Sequence, residues 1–303
     1  MADHDDPAAQ ALRLVSTRFP QALGAVLGGS AAQGRATPAS DLDVAVLLPG
    51  TGASRREVLR HEGRLAELFL NTRADLPEFF AWDRARRRGT VLFVYAQGLP
   101  LLDPHGDLSR ARDRARTVLA VGPPLLTPAE LSQARYTLTC YLDDLLDAPG
   151  SARHEQLALA DFALREASHL LTAHHRAWTG IGKWLPRRLL AADAARGGAL
   201  LDGHRAVAET ADPGPLAAAV HQVLDLVGGP LREGVRARLA RRPGKVKWIT
   251  RVGSGWTLSE LEEARCRCAG GAPRRSASPN RTEPNRTKPS PVQSSPVDPP
   301  PHL

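Results

Sequence analysis

The hydrophobic pattern changes rhythm along the chain, and the change divides it. Up to about residue 120, apolar runs of strand length alternate with stretches of helical spacing. Asp6-Pro7 makes a favourable helix start, and Leu12, Val15 and Phe19 mark one face of the helix it opens. "ALGAVLGG" ends one expected strand and "DLDVAVLL" forms a second. "SRREVLRHEG" reads as a polar helix, "LAELFLN" as a third strand, "LPEFFAWDRARRRG" as a helix and "TVLFVYAQGLPLLD" as strand material. Such alternation implies a sheet with helices packed on it. From Thr127 the character changes: "TPAEL" carries an N-cap Thr, a Pro in the first turn and a Glu at the third position. The chain is then rich in Leu and Ala at helical spacing through about 240, without a strand pattern. The expected fold class is α+β, organised as a mixed-sheet domain over 1–120, an all-helical domain over 127–241, a short extension over 242–268 and a tail over 269–303.

One stretch breaks the pattern. In "VLGGSAAQGRATPASDLDVAVLL" two aspartates lie two residues apart at the start of a strand fit for burial. Side chains alternate across a strand, so Leu42, Val44 and Val46 share the core face while Asp41, Asp43 and Ala45 share the other. Two carboxylates side by side repel, and one holds a proton unless a cation neutralises them. Hard oxygen ligands in this arrangement suit Mg²⁺, which binds a few carboxylates together with substrate phosphates. Upstream, Gly28 and Gly29 allow close approach of backbone to ligand, and Ser30 opens a short helix whose amides suit an anion. Glu67, flanked by apolar residues in the third strand, is the expected third carboxylate; Glu62, Asp75, Glu78 and Asp83 are rivals placed in helices or turns, where exposure explains them.

Composition narrows the reading further. Of the net charge of +8, the seven Arg and Lys from Arg265 onward set against Glu283 and Asp298 carry +5, leaving +3 for residues 1–264. That balance does not point to a nucleic-acid groove. The Pro-, Ser- and Gly-rich tail has little to bury and reads as disordered. No apolar run has the ~20 residues of a membrane span, the acidic start lacks a signal-peptide pattern, and three cysteines make no disulfide framework. These features together predict a cytoplasmic protein. Cys266 and Cys268 form a CxC without a second pair, which argues against zinc.

Gly-Gly-Ser, ten intervening residues and Asp-x-Asp closely resemble the nucleotidyltransferase signature of the DNA polymerase β superfamily, in its small bacterial branch of minimal nucleotidyltransferases and aminoglycoside adenylyltransferases. The resemblance covers residues 25–71. It implies a polymerase β-like sheet, nucleotide binding by Gly29 and Ser30 with Gly28 beside them in the turn, two Mg²⁺ ions on Asp41 and Asp43, and Glu67 as metal ligand or base. In "HHRAWTGIGKWLPRRL", Lys183 follows a flexible Gly-Ile-Gly and can swing onto a phosphate, with Arg187 and Arg188 one turn on. Trp178 and Trp184 either stack a ring or belong to the core; Arg35 either contacts a triphosphate or braces its loop. His174 and His175 lack an i,i+4 partner for a metal.

The expected reaction is transfer of AMP from ATP to a hydroxyl of a small acceptor, aminoglycoside-like compounds among the candidates. A protein acceptor, as in antitoxin-like AMP transfer, is the alternative within the same chemistry. A non-catalytic nucleotide-binding module is the alternative outside it, and template-directed polymerisation is disfavoured by the mild charge. The sequence leaves acceptor and oligomeric state open.

Overall fold

Asp6 opens the first helix as its neighbour Pro7 suggests: its carboxylate accepts from the amides of Ala8 and Ala9, each at 3.2 Å. The computed structural model of the chain describes residues 6–37, 39–52, 54–242, 245–252 and 255–259, the strands from 235 onward by backbone alone. The tail assigned to 269–303, with Cys266 and Cys268, lies outside the described residues.

The elements of the first half are α1 (Pro7–Arg18), β1 (Gly24–Leu27), α2 (Gly29–Ala32), β2 (Leu42–Leu48), β3 (Arg55–His61), β4 (Arg64–Thr72), α3 (Leu76–Ala85), α4 (Thr90–Gln97), β5 (Leu99–Leu102) and α5 (Asp107–Val121). The strands form one mixed sheet in the order β3-β4-β2-β1-β5, with β2 and β4 parallel and the other neighbours antiparallel. Alternation along β2 feeds two cores. Leu42, Val44 and Val46 pack with Ala11, Leu14 and Val15 of α1. Ala45 and Leu47 pack on the opposite face with Phe80 of α3 and Leu92 and Tyr95 of α4. Leu12, expected on the buried face of α1, is its exposed apolar residue at 38%.

Two stretches depart from the expected pattern. "SRREVLRHEG" is not a helix: β3 pairs along its whole length with β4, from Arg55↔Leu70 to His61↔Arg64. The turn between them has positive φ at Glu62 (47°) and Gly63 (82°), the backbone that a two-residue hairpin requires. As the edge strand, β3 has little apolar surface to cover, so it can be as polar as a solvated helix. "TVLFVYAQ" is a helix, α4, although its β-branched and aromatic residues favour a strand. Val91, Leu92, Val94, Tyr95 and Ala96 are all buried there, as in a helix enclosed on most sides. Its start is secured by Asp83, whose buried carboxylate accepts from the amides of Thr90, Val91 and Leu92 at 3.1, 2.9 and 3.0 Å. Asp83 is thus a cap and not an exposed turn residue.

The second half begins with α6 (Pro128–Asp147), where Thr127 and Glu130 form the capping box read from "TPAEL". It continues through α7 (Arg153–His174), α8 (Trp184–Ala192), α9 (Ala194–Thr210) and α10 (Gly214–Leu226) around a core that includes Leu138, Leu142, Leu170, Leu200 and Val220. Beyond it an antiparallel sheet of β6 (Val235–Arg242), β7 (Lys245–Val252) and β8 (Gly255–Ser259) occupies a stretch where helical spacing and a short extension had been expected. Trp178 joins the halves: it is 8% exposed, packs with the α4 and α5 core and donates from Nε1 to the Leu119 carbonyl at 3.3 Å. No described helix is long and apolar enough to cross a membrane.

Asp83→Ala should lower stability by about 1–3 kcal/mol, because three amides at the start of α4 lose a charged acceptor. Urea unfolding followed by circular dichroism measures this, and Asp83→Asn, which keeps one acceptor oxygen, should lose less.

Candidate functional site

The sheet brings the acidic residues together through backbone pairing. Asp43 of β2 lies directly opposite Glu67 of β4 in the parallel ladder, and Asp41 stands just before β2. Carboxylate oxygens of Asp41, Asp43 and Glu67 all lie within 4.8 Å of one another. On the other side of β2, the Gly28 amide donates to the Asp43 carbonyl at 2.6 Å, which fixes the Gly-Gly-Ser turn beside the carboxylates. Gly29 at this turn has φ +62°, and a Cβ there would stand 1.9 Å from Asp43 Oδ2. Both the backbone conformation and the close approach demand glycine.

The charges are not balanced within the trio. Burial, then the charges of Asp41 and Glu67, push the Asp43 carboxyl up to about 6, against a partial opposing pull from Lys183 and Arg56. Glu67 is half-buried and has an ion-pair partner in Arg56 of β3, itself mostly exposed. Three hard oxygen donors with an excess of negative charge fit a divalent cation, and Asp43 is the group whose ionisation such a cation would restore.

Beside the trio opens a cleft of ≈ 780 Å³, counted to its mouth. Gly28, Gly29 and Asp43 form one wall, Phe93 and Gln97 of α4 another, and Trp184 and Arg188 of α8 a third. Arg188 stacks its guanidinium on Phe93, 3.5 Å from the ring centroid, and lies 5.4 Å from that of Trp184. Neither Arg188 nor Arg88, which also lines the cleft, makes a hydrogen bond or ion pair with a protein group among the described residues. Burial moves the Arg188 pKa downward, though a guanidinium stays charged.

The structure sorts the other candidates. Ser30 lies one residue inside α2, beside the glycines. Arg35 points its guanidinium at Gln33 Oε1 in its own loop and does not line the cleft. Lys183 is exposed at the start of α8, near enough to Asp43 to favour its ionised form. Trp178 is core and Trp184 is cleft wall. His175 contacts Asp193 at 3.2 Å, and the acidic trio is the metal-capable cluster among the described residues. Arg56 and Arg88 were not singled out from the sequence. Arg56 lies in a stretch whose polar pattern suits a helix, and Arg88 is the last arginine of "RARRRG", which has no distinguishing pattern.

Asp43→Asn should stabilise the metal-free protein near neutral pH. The folded state raises this carboxyl from 3.8 to about 6, so ionisation opposes folding increasingly from pH 4 to 6 and fully above that. Relief of that opposition is worth roughly 1–3 kcal/mol. Thermal unfolding without metal should show a gain of a few degrees near neutral pH that disappears below about pH 4. Added Mg²⁺ should raise the wild-type midpoint and do little for the variant.

Residues 9–84 match the model of the nucleotidyltransferase domain family. Among solved structures, the chain aligns with a nucleotidyltransferase-like protein from Exiguobacterium sibiricum 255-15 at 13% identity and a TM-score of 0.39, over 79% of this chain and 98% of that one. No curated protein matches. The matched segment contains the Gly-Gly-Ser turn and all three clustered carboxylates, on a mixed sheet. Over residues 9–84 the chain carries a nucleotidyltransferase domain of the DNA polymerase β-like superfamily.

Proposed function

We propose that the protein is a Mg²⁺-dependent enzyme that transfers AMP from ATP to a hydroxyl of a small acceptor. The observation that carries this reading is the trio of Asp41, Asp43 and Glu67 within 4.8 Å, beside a Gly-Ser turn and a cleft with two arginines that pair with no carboxylate. In the reaction the acceptor oxygen forms a bond to the α-phosphorus, the bond from that phosphorus to the bridging oxygen breaks, and pyrophosphate leaves with the electron pair. The hydroxyl proton passes to Glu67 or to solvent.

Asp41 and Asp43 would hold two Mg²⁺ ions, with Glu67 as a further ligand or as the base. Bound metal supplies charge neutralisation at the phosphates and acidifies the attacking hydroxyl. The protein's own share is positioning. Gly28 and Gly29 let the backbone approach the triphosphate, Ser30 adds a hydroxyl, and Arg188 is held by Phe93 and Trp184 so that little side-chain freedom is lost on binding. Lys183 lies close to Asp43 and is placed to meet a phosphate. Trp184 offers an aromatic face for the base. We assign Arg35 the weaker role of bracing the loop after α2. The first half supplies the nucleotide site and the helical half covers it, which retains the division into domains at 1–120 and 127–241.

Incubation with Mg²⁺, α-labelled ATP and a panel of small hydroxyl compounds that includes aminoglycosides, followed by a cell lysate, tests the reading. Label on a small molecule supports it. Label on a protein band moves the acceptor to a protein, and MgATP binding without transfer to anything indicates a regulatory module.

Glu67→Gln should lower turnover ~10²–10⁴-fold if Glu67 is the base, with MgATP affinity kept. A metal-ligand role should also raise the Mg²⁺ concentration for half-maximal rate. Superimposable Mg²⁺ profiles for wild type and variant would remove Glu67 from the site. Arg188→Gln should weaken MgATP binding about tenfold by calorimetry, the usual scale for one charge-assisted contact.

A further inference from the structure

The edge of the sheet supplies the acidic trio with a cation of its own. Side chains alternate along β3 and β4, so one open face of the pair carries Arg56, Val58 and Arg60 beside Leu65, Glu67 and Phe69. It is the face of Asp43 as well, since Asp43 stands opposite Glu67 in the parallel ladder. The residue directly across from Glu67 on the other side is Val58, which offers no polar group. Arg56, opposite Phe69, reaches Glu67 along the diagonal, its Nε paired with the carboxylate Oε1. Among the described residues this is the one ion pair of the trio, and Asp41 and Asp43 have none.

The pair is placed so that it can come apart. The Arg56 side chain is 63% exposed on an edge strand with no strand beyond it, and its Cζ lies 5.8 Å from the centroid of the Phe69 ring. An ion pair with so exposed a partner contributes little to folding, so the fold loses little when it opens. With Lys183, Arg56 also pulls on Asp43 through its charge. The guanidinium meets one carboxylate directly with a single charge. A divalent ion among the same oxygens would meet three carboxylates with two charges, and Coulomb attraction then favours the ion. Both cannot take up Glu67 fully at once, because their like charges repel.

We propose that Arg56 is an exchangeable counter-cation of the metal site, holding Glu67 toward the aspartates while the site is metal-free and giving it up to the incoming ion. Its competition sets the ion concentration at which the site fills. This rests on the reading of the trio as a metal site and adds a positioning residue from outside the trio.

The test titrates Mn²⁺ alone, which takes the same hard oxygen donors as Mg²⁺, into the full chain without nucleotide. Electron paramagnetic resonance reads the free ion. Arg56→Gln should bind Mn²⁺ about three- to tenfold tighter than wild type, because a competing positive charge is gone. Arg56→Lys, which keeps the charge, should stay within about twofold of wild type. In a Glu67→Gln background, Arg56→Gln should change Mn²⁺ affinity by less than about twofold, since the carboxylate under competition is absent. Unchanged or weaker Mn²⁺ binding by Arg56→Gln, or an equal gain with and without Glu67, would overturn the exchange. So would a crystal structure with Mn²⁺ bound in which Arg56 still pairs with Glu67. Failure of wild type and Arg56→Gln alike to bind Mn²⁺ at millimolar concentration would instead overturn the metal site, and this proposal with it.

Discussion

Three carboxylates stay within 4.8 Å of one another only if something else in the fold outweighs their repulsion. Here it is the pairing of β2 with a strand on each side. Asp43 and Glu67 face each other because the parallel ladder from Leu42↔Ala66 to Leu48↔Thr72 leaves them no other register. A one-residue slip would turn Leu42, Val44 and Val46 out of the core. Each of those side chains contributes about 1.5–3 kcal/mol on burial, so the apolar face of the strand holds the charged face in place. The cost of the arrangement falls on Asp43, whose carboxyl is pushed up to about 6. A fold without a use for that cost would gain stability by losing the acid.

The same economy of space governs the turn beside it. Gly29 sits so close to Asp43 Oδ2 that no larger residue fits, and Gly180 sits as close to the backbone of Trp184. One glycine brings the backbone of the sheet half against the acids, and the other brings the backbone of the helical half against α8. Between them the cleft is bounded by an acidic edge and by guanidiniums that pair with no carboxylate. Arg188 lies on Phe93, 3.5 Å from its ring centroid, so an aromatic face steadies a cation that no carboxylate among the described residues neutralises. Trp178 couples this surface to the sheet core, so the two walls of the cleft are fixed relative to each other by packing.

Much of the acidic edge was legible from residue order, because its logic is local. Strand alternation put Asp41 and Asp43 on one face, and the spacing from the Gly-Gly-Ser turn is short enough to be read without a third dimension. Caps were equally legible: Asp6, and Thr127 with Glu130, act within three residues of themselves. The misreadings share a different cause. β3 is a strand because β4 offers it a complete ladder, and α4 is a helix because Asp83 caps it and the second core surrounds it. In both, a partner distant in sequence outweighed local propensity.

The sequence by itself determined the pair of aspartates and the turn that faces them, since each follows from periodicity or from a backbone requirement within a few residues. Only the tertiary structure decided that Glu67 completes the trio, that Arg56 pairs with it, and that Arg88 and Arg188 reach one cleft from segments a hundred residues apart. Register and cation placement depend on which strands and helices pack together. Those are long-range choices made by the burial of whole faces, and no local pattern of residues encodes them.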